Sequence, residues 1–134
     1  MKKVIISLMT ISMILTSVSA LALNRENMKK DNFNGWWYDR DTQHDYYFKN
    51  GENVVGWFSS NGNWYYFNSN GEMQTGWLNL NNNWYYLNKS GAMQTGWLED
   101  SVGKWYYLNS DGTMMHDGTT PDGYKIGSDG VLIK

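Results

Sequence analysis

The sequence predicts an all-β fold, a β-solenoid of stacked β-hairpins with a repeat of about 20 residues. Three observations carry this prediction. Trp57, Trp77 and Trp97 are spaced by 20, and Trp64 and Trp84 by 20, with Trp105 following after 21. Gly71, Gly91 and Gly112 keep the same phase, as do Met73, Met93 and Met114. The third observation is composition: 8 Trp, 10 Tyr and 4 Phe stand in a chain of 134 residues. So much aromatic surface must be stacked internally or offered to a ligand.

One unit shows why the repeat is a hairpin. It opens with Gly76-Trp77-Leu78, passes the polar run Asn79 to Asn83, and returns through Trp84-Tyr85-Tyr86-Leu87. Asn88 to Gly91 then leads to Ala92-Met93-Gln94-Thr95. Two short aromatic runs divided by Asn-rich punctuation read as paired strands with a connector. In the preceding unit the turn is Asn61-Gly62, a strong hairpin signal. The single extra residue of the third copy falls within Glu99 to Gly103, a turn, where insertion is tolerated. No sustained 3.6-residue period occurs beyond the first 22 residues, so almost no helix is expected. A lone hairpin is marginal in water, and such units persist by stacking on one another.

The ends depart from the pattern, as terminal repeats do. At the front, Gly35-Trp36-Trp37-Tyr38 and Asp45-Tyr46-Tyr47-Phe48 match the unit, with Asp45 in place of Trp and Asn53 in place of Met. At the back, Asp117-Gly118 replaces the Gly-Trp pair. Tyr124-Lys125-Ile126-Gly127-Ser128-Asp129-Gly130 echoes Tyr106-Tyr107-Leu108-Asn109-Ser110-Asp111-Gly112 and reads as a last, capping hairpin. The repeat region therefore runs over residues 35–134. Residues 23–34 are polar and read as a mobile arm or a frayed first turn.

Residues 1–22 read as a secretory signal peptide. Lys2 and Lys3 are basic, Val4 to Val18 is mostly apolar, and Ala20-Leu21-Ala22 offers a small-x-small cleavage site after Ala22 or after Ala20. The competing reading is an uncleaved membrane anchor, since Val4 to Leu23 approaches spanning length. After cleavage no membrane segment is expected.

A net charge of −2 argues against nucleic-acid binding, which draws on dense Lys and Arg. There is no Cys, hence no disulfide, thiolate metal site or Cys nucleophile. His44 and His116 are the only histidines and are too far apart to suggest a metal cluster, so no metal and no cofactor are expected. Asp111-Gly112, Asp117-Gly118 and Asp129-Gly130 read as turns, and their spacing misses a calcium-loop pattern. Asn88-Lys89-Ser90 matches a glycosylation sequon and is read as chance. No nucleophile triad, phosphate loop or carboxylate pair stands out, and leader plus repeats account for nearly the whole chain. The expectation is a protein that is not an enzyme.

Thr75-Gly76-Trp77, Asn83-Trp84-Tyr85-Tyr86-Leu87 and Gly91-Ala92-Met93-Gln94-Thr95-Gly96-Trp97 resemble the choline-binding cell-wall repeats of Gram-positive bacteria and their phages. The resemblance covers about residues 35–134. It implies a left-handed solenoid in which choline sits between successive hairpins, held by two aromatics of one, one of the next, and often the Met. It also implies a secreted, cell-wall-associated protein whose partner is choline-bearing teichoic or lipoteichoic acid. Related repeats occur in the glucan-binding tails of glucosyltransferases and in clostridial toxin tails, and Tyr46-Tyr47-Phe48 with Gly51 leans toward that broader style. A glucan-binding protein, or an adhesive solenoid that binds protein through exposed Tyr and Trp, are the alternatives.

A quaternary ammonium has no N–H to donate, so its methyls want apolar contact and its charge wants the negative face of a π-system. Strand alternation puts Trp84 and Tyr86 on one side, Tyr85 and Leu87 on the other. The expected cages are then Trp57, Trp64 and Tyr85 with Met73; Trp77, Trp84 and Tyr106 with Met93; and Trp97, Trp105 and Tyr124 with Met114. Tyr86 and Tyr107 are alternatives for the closing tyrosine. A cage between the first two hairpins lacks its Trp and Met and is expected to be weak or absent. The same aromatics are also expected to serve as core, with the methionines as filler.

Overall fold

A computed structural model describes residues 26–133. The leader expected over residues 1–22 lies outside the described residues. The described chain is all-β apart from one helical turn, and consists of successive antiparallel hairpins. It divides into two compact units, Met1–Phe58 with Tyr66–Met73, and Ser59–Tyr65 with Gln74–Lys134.

The first unit begins with residues 26–30 in a helical turn, not an untethered arm. Met28 supplies the reason: it is buried with Tyr46 and Phe48, and Phe33 and Trp37 pack against that cluster. The Phe33 N–H donates to the Met28 carbonyl at 2.9 Å, and the Gly51 N–H to the Phe33 carbonyl at 2.9 Å, tying the segment to the sheet. That sheet has three strands in the order β1 (Gly35–Asp39), β2 (His44–Lys49) and β3 (Glu52–Asn53). Its register pairs Trp36 with Tyr47 and Phe48 with Asn53. The next hairpin, β4 (Gly56–Ser60) with β5 (Asn63–Phe67), contains the division between the units. Asn61 and Gly62 both take positive φ, +51° and +78°, as a two-residue turn matched to strand twist requires.

The second unit carries three more hairpins: β6 (Gly76–Leu80) with β7 (Asn83–Leu87), β8 (Gly96–Glu99) with β9 (Trp105–Leu108), and β10 (Gly118–Thr119) with β11 (Lys125–Ile126). The residue inserted in the third copy does lie in a turn, between β8 and β9. After each hairpin one residue bridges back as a minimal third strand: Met93 to Leu87, Met114 to Leu108, Leu132 to Ile126. The same residue reaches back to an earlier strand. Met93 donates its N–H to the Trp64 carbonyl at 2.8 Å, Met114 to that of Trp84 at 2.7 Å, and Leu132 to that of Trp105 at 2.8 Å. In the first unit Met73 does the same to Asp45 at 2.8 Å. Because that bond uses only backbone, the front hairpin keeps its place with Asp45 where the other copies have Trp.

The core is not made of tryptophan. Tyr46, Tyr65, Phe67, Leu87 and Leu108 are the largest fully buried side chains, and Ile126 is buried beside them in phase. The residue that ends each second strand, Phe67, Leu87, Leu108 or Ile126, points inward, and burying one such side chain stabilises by about 1.5–3 kcal/mol. Of the aromatics expected to serve as core, Tyr46 and Tyr65 do so, whereas Trp64, Trp84 and Trp105 are exposed. Alternation along the strand buries the last residue of each run and leaves the first, a Trp in three copies, at the edge beside the turn.

Candidate functional site

Trp64, Trp84 and Trp105, at or next to the start of their strands, are exposed by 48%, 43% and 36%. Ring faces of this size beside polar turns are open to a ligand. The partners of Trp84 and Trp105 come from the first strand of the same hairpin. Trp77 on β6 lies with its ring 6.3 Å from Trp84, nearly perpendicular at 84°. It also sits 5.3 Å from Tyr86, its cross-strand neighbour. The third ring comes from the following hairpin: Tyr106 on β9 lies 4.9 Å from Trp77 at 68°.

The arrangement repeats one hairpin on. Trp97 is 6.2 Å from Trp105 at 75°, 5.2 Å from Tyr107, and 5.6 Å from Tyr124 at 87°. Tyr124 is itself 54% exposed. The sequence-predicted sets Trp77, Trp84, Tyr106 and Trp97, Trp105, Tyr124 are therefore brought together. Tyr86 and Tyr107 belong to the same clusters as cross-strand partners within one hairpin. Edge-to-face packing sets the positive edge of one ring on the negative face of another, so the clustered rings meet at steep angles instead of stacking flat.

The methionines take a packing position. A Cβ on Gly112 would run into the Met93 sulfur, and one on Gly130 into the end of Met114. Each Met thus fills the groove that a glycine of the next turn leaves open. Residues of the first expected set are divided between the units: Trp57 and Met73 in one, Trp64 and Tyr85 in the other. Within the first unit Trp57 packs on Tyr66 at 5.3 Å. Tyr85 is half-buried on β7, opposite Leu78.

At the front hairpin, where no good cage is expected, the space is filled by phenylalanines of the following strands. Tyr47 packs against Phe58 at 4.4 Å, and Trp36 against Tyr47 at 5.3 Å and Phe67 at 5.8 Å. Asn53, in the Met position, abuts Gly71, and its Oδ1 is buried with no hydrogen-bond partner.

Two carboxylates border the clusters. Asp100 accepts the Tyr106 hydroxyl at 3.2 Å, and its other oxygen accepts the N–H groups of Lys104 and Val102. The Lys104 N–H, helped by Val102 and Tyr106, holds its carboxyl below the ordinary carboxylate value. Partial burial, with Asp100 as neighbour, pushes the Tyr106 phenol up. Asp122 accepts the Trp97 indole N–H at 2.9 Å and the Thr120 hydroxyl at 2.5 Å. Those bonds, Thr120 first, hold it below the usual range. A signal for Asp122 was present: Gly118 to Tyr124 is 6 residues, whereas the matching Trp97 to Tyr106 is 9. The shortened turn brings Asp122 to Trp97. Asn88, of the apparent sequon, spends its Oδ1 on Ser90 and the Ala92 N–H, as a turn residue does. Among the described residues no cluster of three His, Cys, Asp or Glu can hold a metal.

Comparison with known proteins identifies the repeat. The profile of the Choline-binding repeat matches residues 54–93 and 74–118. No curated protein sequence matches the chain. Among solved structures, the choline binding domain of Spr1274 from Streptococcus pneumoniae is 39% identical, with TM-score 0.56 over 60% of this chain and 96% of that one. Choline binding protein F from Streptococcus pneumoniae, solved in the presence of a peptidoglycan analogue, is also 39% identical, with TM-score 0.70 over 76% of this chain and 34% of its own. The modular Cpl-1 endolysin, complexed with a peptidoglycan analogue, is 33% identical, with TM-score 0.51 over 75% of this chain and 31% of its own. The chain thus spans about a third of the length of the choline binding protein F chain it matches. With the repeat phase, the hairpin ladder and the ring clusters all in agreement, this chain belongs to the choline-binding repeat family.

Proposed function

We propose that this chain is a non-catalytic cell-wall-binding module that holds choline of teichoic or lipoteichoic acid. The sites are the aromatic cages Trp77, Trp84, Tyr106 and Trp97, Trp105, Tyr124. The observation that carries the reading is that three rings, two from one hairpin and one from the next, converge edge-to-face twice in the same register. Family membership and the two relatives solved with peptidoglycan analogues support it. Each desolvated ring contributes about 0.5–2 kcal/mol toward a quaternary ammonium. A three-ring cage therefore gives binding of about millimolar strength. Several cages on one framework, facing a polymer with many cholines, gain affinity through effective concentration. A secretory leader at residues 1–22 would deliver such a module to the wall.

The test is retention on a quaternary- or tertiary-amine resin, run beside dextran beads. The proposal expects retention on the amine resin and release by free choline. Retention on dextran that choline does not release would mean that the rings serve as a glucan platform.

A further inference from the structure

The two cages are built of the same ring types but differ in electrostatics. In the cage around Trp97 the indole N–H donates to Asp122, whose second oxygen takes the Thr120 hydroxyl. The carboxylate is thereby fixed at the edge of the ring whose face lines the site. It is exposed, and among the described residues no Lys, Arg or His forms an ion pair with it. Lys125, the nearest cation along the hairpin, donates to Thr119 instead. A carboxylate has about four acceptor positions, and the two donors leave others open. In the cage around Trp77 the corresponding carboxylate, Asp100, is held by the backbone N–H groups of Val102 and Lys104 as well as by Tyr106. The Lys104 side chain also offsets its charge.

Resting on the ammonium reading above, we propose that Asp122 is a specificity-determining residue of the Trp97 cage. Its fixed, uncompensated negative charge makes that cage hold a monocationic ammonium more tightly than the Trp77 cage and favours cations over neutral sugar rings. Two effects act together. The carboxylate attracts any cation over the ring, and that attraction is weakened by salt because the group is exposed. Accepting the indole N–H also pushes electron density into Trp97, which strengthens the π-face that a cation meets. Neither effect helps a neutral ligand.

The indole N–H resonances of Trp97 and Trp77 in labelled protein report the two cages separately. In a choline titration at low salt, the Trp97 site is expected to be about two- to fivefold tighter than the Trp77 site. Raising sodium chloride from about 0.02 to about 0.5 M should close that gap. Asp122→Asn keeps an acceptor for the indole and removes the charge, so it should weaken the Trp97 site by a similar factor and leave Trp77 unchanged. Equal affinities in the wild type, or a substitution that affects both sites alike, would overturn the role given to Asp122 while leaving the cages standing. If neither indole responds to choline, the ammonium reading itself fails and this inference with it. Should Asp122→Asn not fold, the wild-type salt comparison decides alone.

Discussion

The side chain of Met93 occupies the space that a Cβ on Gly112 would need, and Gly112 itself sits at φ +86°. Backbone conformation and contact between successive hairpins therefore demand glycine at one position. Gly112→Ala should cost more than the ~1–2 kcal/mol of a left-handed L-residue alone, because Met93 must also move. Gly62, at φ +78° with open space around it, isolates the backbone part. Denaturant unfolding of both variants checks this, and equal losses would show that the Met93 contact is slack.

Asn53 stands where the later copies place Met, and its buried Oδ1 lacks a partner against Gly71. An unsatisfied buried acceptor costs about 1–3 kcal/mol. Asn53→Met should restore the contact that Met93 makes with Gly112 and raise the melting temperature. A fall in melting temperature would mean that the front groove is too narrow for a thioether.

Trp84 and Leu87 lie on one strand with opposite duties: Trp84 is 43% exposed and Leu87 fully buried. Trp84→Ala should weaken choline binding by about 2- to 30-fold, the equivalent of one cage ring, with a small loss of stability. Leu87→Ala should destabilise by about 2–5 kcal/mol. Tyr38→Ala, at an exposed ring outside the cages, should change choline binding little. Calorimetric titration alongside thermal unfolding separates these effects, and a Trp84→Ala protein as unstable as Leu87→Ala would place the indole in the core.

Much of this architecture was legible in the sequence, because a 20-residue phase shared by Trp, Gly and Met leaves few ways to fold. The ring sets around Trp77 and Trp97 followed from the resemblance to choline-binding repeats, with that phase and strand alternation choosing the residues. What escaped were features that depend on chain length or on a single buried residue. Met28 looks like one apolar residue in a polar arm, yet burying it with Tyr46 and Phe48 fixes a helical turn. Asp122 looks like a turn acid until the shortened hairpin brings it to Trp97. Composition told only half of the core: Tyr46 and Tyr65 are buried as an aromatic interior would have them, whereas Trp64, Trp84 and Trp105 are exposed because position within the strand, not size, decides which side chain is buried.

Asp111 accepts the Thr113 hydroxyl and N–H, which hold its carboxyl below the ordinary value of 3.8, and Asp100 is lowered chiefly by the Lys104 N–H. A depressed folded value means that the ionised form supports the fold. That support is present above the unfolded value and is lost as pH falls through the folded one. Melting temperature should hold near neutrality and drop below about pH 4. Asp111→Asn should make the acid drop shallower, and an unchanged profile would show that these turn bonds add nothing to stability.

The central claim is that the ring sets around Trp77 and Trp97 hold a methylated cation, and thermal unfolding with different cations tests it most directly. At a hundred times its dissociation constant, a ligand adds about 2.7 kcal/mol per site. At matched ionic strength, choline and tetramethylammonium should raise the melting temperature by several degrees. Ethanolamine should do much less, since its ammonium keeps its hydration. Equal stabilisation by ethanolamine or sodium chloride would contradict the account.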